Sequence, residues 1–282
     1  MVIVDDGSTD GTADLVENWR SGVTFPVNYY WQENQGKHAA FNAALPHLHG
    51  ELTVVLDSDD KLADEALAIF HRYWLSIDEA ERNAFAGVEG LTAFFDGRIS
   101  GHRFPEDTFD SDYIHLHRHY RIRGDKKNAI RTDILRRFPY PQFPGERHVR
   151  PSLLWERISK EFKFRYFNEV VQLIEYQEGG LSDNRFRLRM NNPQGFRYYY
   201  LEQIRTFGLG DRVGRRLDHY MKYIRYSLHS GIGLRQQLRE IDSIAFWLLS
   251  LPMSTVKWLR DRIKLRFEGS KKPSTLTRKK SP

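Results

Sequence analysis

The sequence contains no cysteine among its 282 residues, so it can form neither disulfide bonds nor thiolate metal sites. It also lacks a run of the ~20 apolar residues that a membrane-spanning helix needs. Its first residues have neither the basic region nor the long apolar region of a secretory signal peptide. These absences favour a reducing compartment and predict a cytoplasmic protein.

Charge is divided unevenly along the chain, which as a whole has a net charge of +6. Residues 1–182 hold 21 Lys and Arg against 29 Asp and Glu, a net charge of −8. Residues 183–282 hold 22 against 8, a net charge of +14. Anionic lipid, an acidic substrate or nucleic acid could each bind the basic part. Because no nucleic-acid-binding motif accompanies the charge, we expect no nucleic-acid partner.

Strand-like and helix-like patterns alternate near the N-terminus. Apolar residues 1–4 precede a polar turn and an amphipathic helix, in which one face is formed by Ala13, Leu15, Val16 and Trp19. Two further strand and helix pairs follow, with the third strand at residues 52–56. Such alternation predicts βαβ units, and therefore an α/β fold with a mainly parallel sheet and flanking helices.

Carboxylates follow the first and the third predicted strands, where α/β proteins bind their ligands. The stretch "VIVDDGSTDGT" (2–12) ends its apolar run at Asp5 and Asp6, and "VVLDSDD" (54–60) contains Asp57, Asp59 and Asp60. Clustered carboxylates repel one another, and a divalent cation with a preference for oxygen would offset that repulsion. The alternative is that these residues only cap the helices that follow.

The motifs "VIVDDGSTDGT", "NQGKHAAFNAAL" (34–45) and "VVLDSDD", in this order and spacing, resemble glycosyltransferase family 2. The resemblance implies the GT-A fold, which is Rossmann-like, and transfer of a sugar with inversion. It implies Mn²⁺ or Mg²⁺ as cofactor and a nucleotide-sugar donor, a UDP-sugar above others. It further implies a saccharide or lipid-linked acceptor in the synthesis of surface polysaccharide or glycolipid.

The resemblance also implies roles for the carboxylates. Asp6 matches the residue that reads the nucleotide base, with Asp5 beside it. Asp57 matches the first acid of the DXD motif. Asp59 and Asp60 match its ribose and metal contacts, so the metal is expected on these two residues.

The middle motif supplies two further donor-binding residues by the same resemblance. Lys37 is expected to approach the diphosphate, and Asn42 belongs to the matched segment. Many members have Arg where this chain has Phe41. In this chain Lys37 is expected to contact the diphosphate instead.

Inversion in a single displacement needs a general base that takes the proton of the acceptor hydroxyl. In the family this base is an acid in a loop before a late helix, and "FPGERHVRPSLLWERI" (143–158) places Glu146 there. The alternative is a surface glutamate paired with Arg147 or Arg150. Glu156, inside the predicted helix, is a weaker candidate for the base.

The segment "YIHLHRHY" (113–120) raises a separate question about metal binding. If it is a strand, His115, His117 and His119 share one face and could bind a metal. No acidic or cysteine ligand adjoins them, so an exposed strand face is the preferred interpretation.

Members of the family begin with another strand and helix before the first motif found here. Their absence would leave a gap of roughly 10 Å, two strand spacings, between the strands at Val2 and Val54. We therefore expect the chain as written to be truncated and unstable or inactive. This leaves open a non-catalytic module that binds nucleotide sugars or glycans.

Three regions are predicted: a GT-A-like domain (1–182), a basic helical segment (183–268) and a disordered basic tail (269–282). Within the second, "SIAFWLLSLPMSTV" (243–256) carries no charge and precedes the basic amphipathic "KWLRDRIKLRF" (257–267). This pattern favours a helix on the inner face of an anionic membrane. The alternative is that its apolar face packs on the catalytic domain.

Overall fold

The computed structural model describes residues 1–175, 185–208 and 210–269. It contains two compact units, Met1–Leu188 and Arg189–Pro282. The predicted boundary after residue 182 and nearly all of the predicted tail lie outside the described residues, so both stay predictions.

Strands are found in the first unit, where the described residues form eight of them. They are β1 (Val2–Asp5), β2 (Asn28–Trp31), β3 (Leu52–Thr53), β4 (Lys61–Leu62), β5 (Phe85–Phe94), β6 (Thr108–Ser111), β7 (Lys126–Arg131) and β8 (Lys163–Ile174). β1 and β2 pair in parallel as a small sheet. The others form a second sheet in the order β3-β7-β5-β8-β4, with β6 also paired to β8.

The α/β class is confirmed, but the expectation of a mainly parallel sheet is wrong. In the larger sheet β5 and β8 are parallel, whereas β3–β7, β5–β7, β4–β8 and β6–β8 are antiparallel. The reason is that the regular alternation of strand and helix ends early in the chain. Later strands follow loops and short helices, which allow the chain to return antiparallel.

Six helices of the first unit are described. They are α1 (Thr12–Gly22), α2 (Lys37–Ala44), α3 (Ala66–Leu75), α4 (Tyr113–Arg118), α5 (Thr132–Arg137) and α6 (Ser152–Ile158). Core residues of the larger sheet alternate between its two faces, as the strand period of two requires. On β7, Ala129 joins the cluster formed with α3, and Ile130 joins the cluster formed with α5 and α6. The sheet is therefore packed on both faces.

The predicted first helix is present as α1, but of its apolar face only Val16 is buried, and Leu15 and Trp19 are each 51% exposed. The preferred interpretation of the histidine segment as an exposed strand face is wrong. The histidine segment is the helix α4 because the Asp112 side chain caps it, accepting a hydrogen bond from the His115 amide at 2.8 Å. A metal set on one strand face is thereby excluded.

The second unit is helical in its described part, as expected. Its elements are α7 (Arg185–Asn191, which begins in the first unit), α8 (Pro193–Glu202) with a π-helical continuation (Gln203–Phe207), α9 (Val213–His229), α10 (Leu234–Glu240) and α11 (Ile244–Gly269). Arg225 of α9 and Asp261 of α11 form a bidentate pair with distances of 2.6 and 2.7 Å. Among the helices described, none is long and apolar enough to cross a bilayer.

Candidate active site

Asp5 ends β1 and holds the turn that follows it. Its carboxylate accepts hydrogen bonds from the Ser8 amide at 2.7 Å and from the Tyr29 hydroxyl of β2. Burial raises the pKa of Asp5, but these hydrogen bonds outweigh burial and place the pKa below its ordinary value. The same contact raises the pKa of Tyr29 to about 12. Asp5 is therefore an ionised anchor between the two strands.

Asp6 organises the loop that precedes α2. Its carboxylate accepts hydrogen bonds from the Gln32 side chain at 2.7 Å, the Gln35 amide at 2.9 Å and the Gly36 amide at 2.7 Å. Three donors on one carboxylate fix the path of the loop. Its predicted contact with the base stays a prediction.

Lys37 joins the middle motif to the acidic motif. Its ammonium group forms a salt bridge with the Asp57 carboxylate, and both side chains remain partly exposed. The first and second motifs are linked by Asp6, and the second and third by Lys37. The structure thus brings together the three segments that are far apart in sequence.

The acidic cluster consists of Asp57, Asp59 and Asp60. One carboxylate oxygen from each of these residues lies within 4.8 Å of the other two. Burial raises the pKa of Asp60 above its ordinary value, Lys127 offsets part of this, and the two neighbouring carboxylates add to it. Gln172 of β8 donates a hydrogen bond to Asp60. The cluster therefore concentrates negative charge that a cation could neutralise.

Asn42 forms hydrogen bonds with the backbone of Tyr140. Its side-chain amide donates to the Tyr140 carbonyl at 2.8 Å and its side-chain oxygen accepts from the Tyr140 amide at 2.9 Å. The residue therefore ties α2 to the loop that carries Glu146. Its expected contact with the donor stays a prediction.

Glu146 lines a cavity of about 390 Å³ together with His38. Glu146 is 9% exposed and His38 is 5% exposed. Nδ1 of His38 is buried without a hydrogen-bond partner among the described residues. Burial lowers the pKa of His38, with Asp6 offsetting part of the shift, so the ring is neutral near pH 7. Burial, His38 and Arg150 together lower the pKa of His148 to about 4.

The two sides of this cavity touch at Gly36, which has a φ of +92°. A methyl group there would lie 1.9 Å from the Arg147 carbonyl oxygen. Only glycine permits both this conformation and this approach. The loop with Glu146 therefore packs directly against the loop that Asp6 organises.

Several residues of the site carry no signal in the sequence. Gln172 and Lys127 reach the acidic cluster from distant strands, and Tyr140 holds Asn42 from a loop. His38 is different, because it is part of "NQGKHAAFNAAL" and adjoins Lys37. Its position in the motif could have indicated it.

Residues 1–79 match the family model of glycosyl transferase family 2. The family resemblance that the three motifs indicate is thereby confirmed over this segment.

Two relatives illustrate the sequence similarity. The abequosyltransferase RfbV of Salmonella typhimurium is 36% identical over 74 residues, which are 26% of this chain and 22% of RfbV. The poly(ribitol-phosphate) beta-N-acetylglucosaminyltransferase TarS of Staphylococcus aureus is 36% identical over 67 residues, which are 24% of this chain and 12% of TarS. The matched segments thus span less than a quarter of either relative.

The fold is also that of a solved glycosyltransferase. The crystal structure of S. aureus TarS 1–349 in complex with UDP-GlcNAc is similar with a TM-score of 0.55 at 16% identity, over 90% of this chain and 70% of that chain. The predicted GT-A fold class is thereby confirmed.

Proposed function

We propose that this chain is an inverting glycosyltransferase that moves a sugar from a UDP-sugar to a saccharide or lipid-linked acceptor in the synthesis of a surface polysaccharide or glycolipid. The observation that carries the proposal is the cluster of Asp57, Asp59 and Asp60 beside Lys37, within the segment that matches the family. Structures of TarS with UDP-GlcNAc and with UDP support the choice of donor.

The acidic cluster fits Mn²⁺ or Mg²⁺ because it offers three carboxylate oxygens within 4.8 Å of one another. Asp59 and Asp60 would hold the ion. A bound ion supplies positive charge that stabilises the departing diphosphate. Lys37 supplies a second positive charge on the same side and can turn from Asp57 to a phosphate.

Glu146 is the proposed general base. Glu146 lies on the cavity wall and is only 9% exposed to solvent. A carboxylate in such a position is suited to remove a proton from an acceptor hydroxyl bound in the cavity. The neutral His38 lines the same cavity. Asp6 and Gly36 keep the two loops in contact, and so hold the cavity's shape.

The experiment is a screen of UDP-sugars with Mn²⁺ that records UDP release and, in parallel, heat of binding. We expect Mn²⁺-dependent release for at least one donor, increased by acceptor. Heat of binding without release would indicate a non-catalytic nucleotide-sugar-binding module and contradict the proposal.

A further inference from the structure

The helix α11 presents an apolar surface to solvent along most of its length. We name this surface the α11 stripe and define it by the exposed apolar side chains Ile244, Leu248, Leu249, Met253, Val256, Leu259, Ile263 and Phe267. They recur mostly every three or four residues, so they share one face of the helix. Over 26 residues, at 1.5 Å per residue, the helix is about 39 Å long.

The opposite face of α11 is the one that packs within its own unit. Trp247, Ser250, Ser254 and Asp261 are buried there, again at steps that follow the helical repeat. Trp247 donates a hydrogen bond to the Gln237 side chain at 3.2 Å. The helix is therefore anchored by a separate set of residues, and the α11 stripe contributes nothing to that anchoring.

The apolar side chains of the α11 stripe are highly exposed to solvent. Leu249 and Phe267 are each 72% exposed, and every member is more than 40% exposed. A contiguous apolar surface of this kind marks a place where the molecule meets a partner.

The charges around the stripe indicate which partner. Placed on a helical repeat, Arg262 and Arg266 lie along one edge, and Lys257, Arg260 and Lys264 lie along the other. The acid Asp261 of the same helix is buried and paired with Arg225.

We propose that the α11 stripe docks on the surface of an anionic lipid bilayer. Apolar side chains would enter the boundary of the acyl chains while the two basic edges contact anionic headgroups. A second copy of the chain is a poorer match, because pairing two stripes would bring two sets of five cations together. The proposal is independent of the glycosyltransferase activity, since none of these residues lies in the candidate active site.

Vesicle flotation of the full chain tests this. With vesicles of phosphatidylcholine containing about one quarter phosphatidylglycerol, we expect flotation that weakens in high salt and is lost on pure phosphatidylcholine. Leu249→Glu combined with Phe267→Glu should reduce the floating fraction by about tenfold, because two charges would have to enter the acyl boundary. Both side chains are exposed, so the substitutions leave the core intact.

Leu67→Glu is the matched control, since Leu67 is 63% exposed on α3 and is not part of the stripe. This variant should float as the unmodified protein does. Failure of the unmodified protein to float, or equal flotation of the double variant, would overturn the proposal. So would a dimer in light scattering that the double variant converts to monomer without any lipid binding.

Discussion

Glu146 lies on the wall of a cavity of about 390 Å³, where a carboxylate can act on a bound hydroxyl. Glu146→Gln keeps the size of the side chain and removes its basicity. We expect turnover to fall by about 10² to 10⁴ while donor affinity stays nearly unchanged. Steady-state UDP release and donor titration measure the two quantities separately.

The matched control is Glu156→Gln on α6, which should retain most activity. A loss of less than about tenfold in Glu146→Gln would contradict its role as the base. In that case Glu156, or an acid among residues 106–112, would replace it as the candidate.

Asp60 is the carboxylate of the acidic cluster whose pKa is raised. A protonated carboxyl is a poor metal ligand. On acidification, Mn²⁺ affinity should therefore begin to fall at a higher pH than it would if Asp60 had the pKa of an ordinary aspartate. Asp60→Asn should weaken Mn²⁺ binding by about tenfold or more at neutral pH. Calorimetric titration with MnCl₂ across pH checks both results.

Asp64→Asn serves as the control, since Asp64 is exposed and pairs with Lys61 outside the cluster. It should bind Mn²⁺ as the unmodified chain does. Unchanged Mn²⁺ affinity in Asp60→Asn would contradict the role of Asp60 as a metal ligand.

At the scale of elements, the contact between two loops depends on Gly36. Gly36→Ala places a methyl group against the Arg147 carbonyl oxygen and strains a φ of +92°. We expect a loss of stability of about 1–3 kcal/mol, together with reduced activity, because the loop with Glu146 must move. Urea denaturation measures the first effect and UDP release the second.

Gly11→Ala is a fair comparison, because nothing lies within 4 Å of the position where its Cβ would be. Its effect should stay within about 0.5 kcal/mol. Equal stability and activity of the two variants would show that the loops do not need this close approach.

In the second unit, α9 and α11 are held together by the salt bridge between Arg225 and Asp261. Burial raises the pKa of Asp261, but hydrogen bonds from His229 and Arg225 outweigh burial and hold the pKa below its ordinary value. Asp261→Ala would leave the mostly buried Arg225 without its carboxylate, at a cost of about 3 kcal/mol. The exposed pair Asp218–Lys222 on α9 is the control, since Asp218→Ala should cost about 0.5 kcal/mol or less.

At the scale of the whole molecule, each compact unit has its own buried core. Phe70 and Phe167 belong to the first, and Tyr220 and Tyr223 to the second. We therefore expect two calorimetric transitions. Gly36→Ala should lower one of them by about 5 °C, and Asp261→Ala should lower the other by about 15 °C. A single transition that both substitutions shift would contradict this.

The features that the sequence determined by itself are local ones. The order of the first strands and helices, the family over residues 1–79 and the acidic cluster all follow from residues that are neighbours in the chain. Periodicity and turn chemistry act over a few residues, so a sequence pattern can express them.

Only the tertiary structure decided which distant groups meet. Gln172 reaches Asp60 across 112 residues, and Asn42 meets Tyr140 across 98. The largely antiparallel sheet and the exposed side of α11 likewise depend on what packs against each element. An amphipathic pattern indicates that one face of a helix is apolar. Whether that face is buried depends on which other elements pack against it. For α11 the fold covers the opposite face, because Trp247, Ser250 and Asp261 take the contacts within the unit.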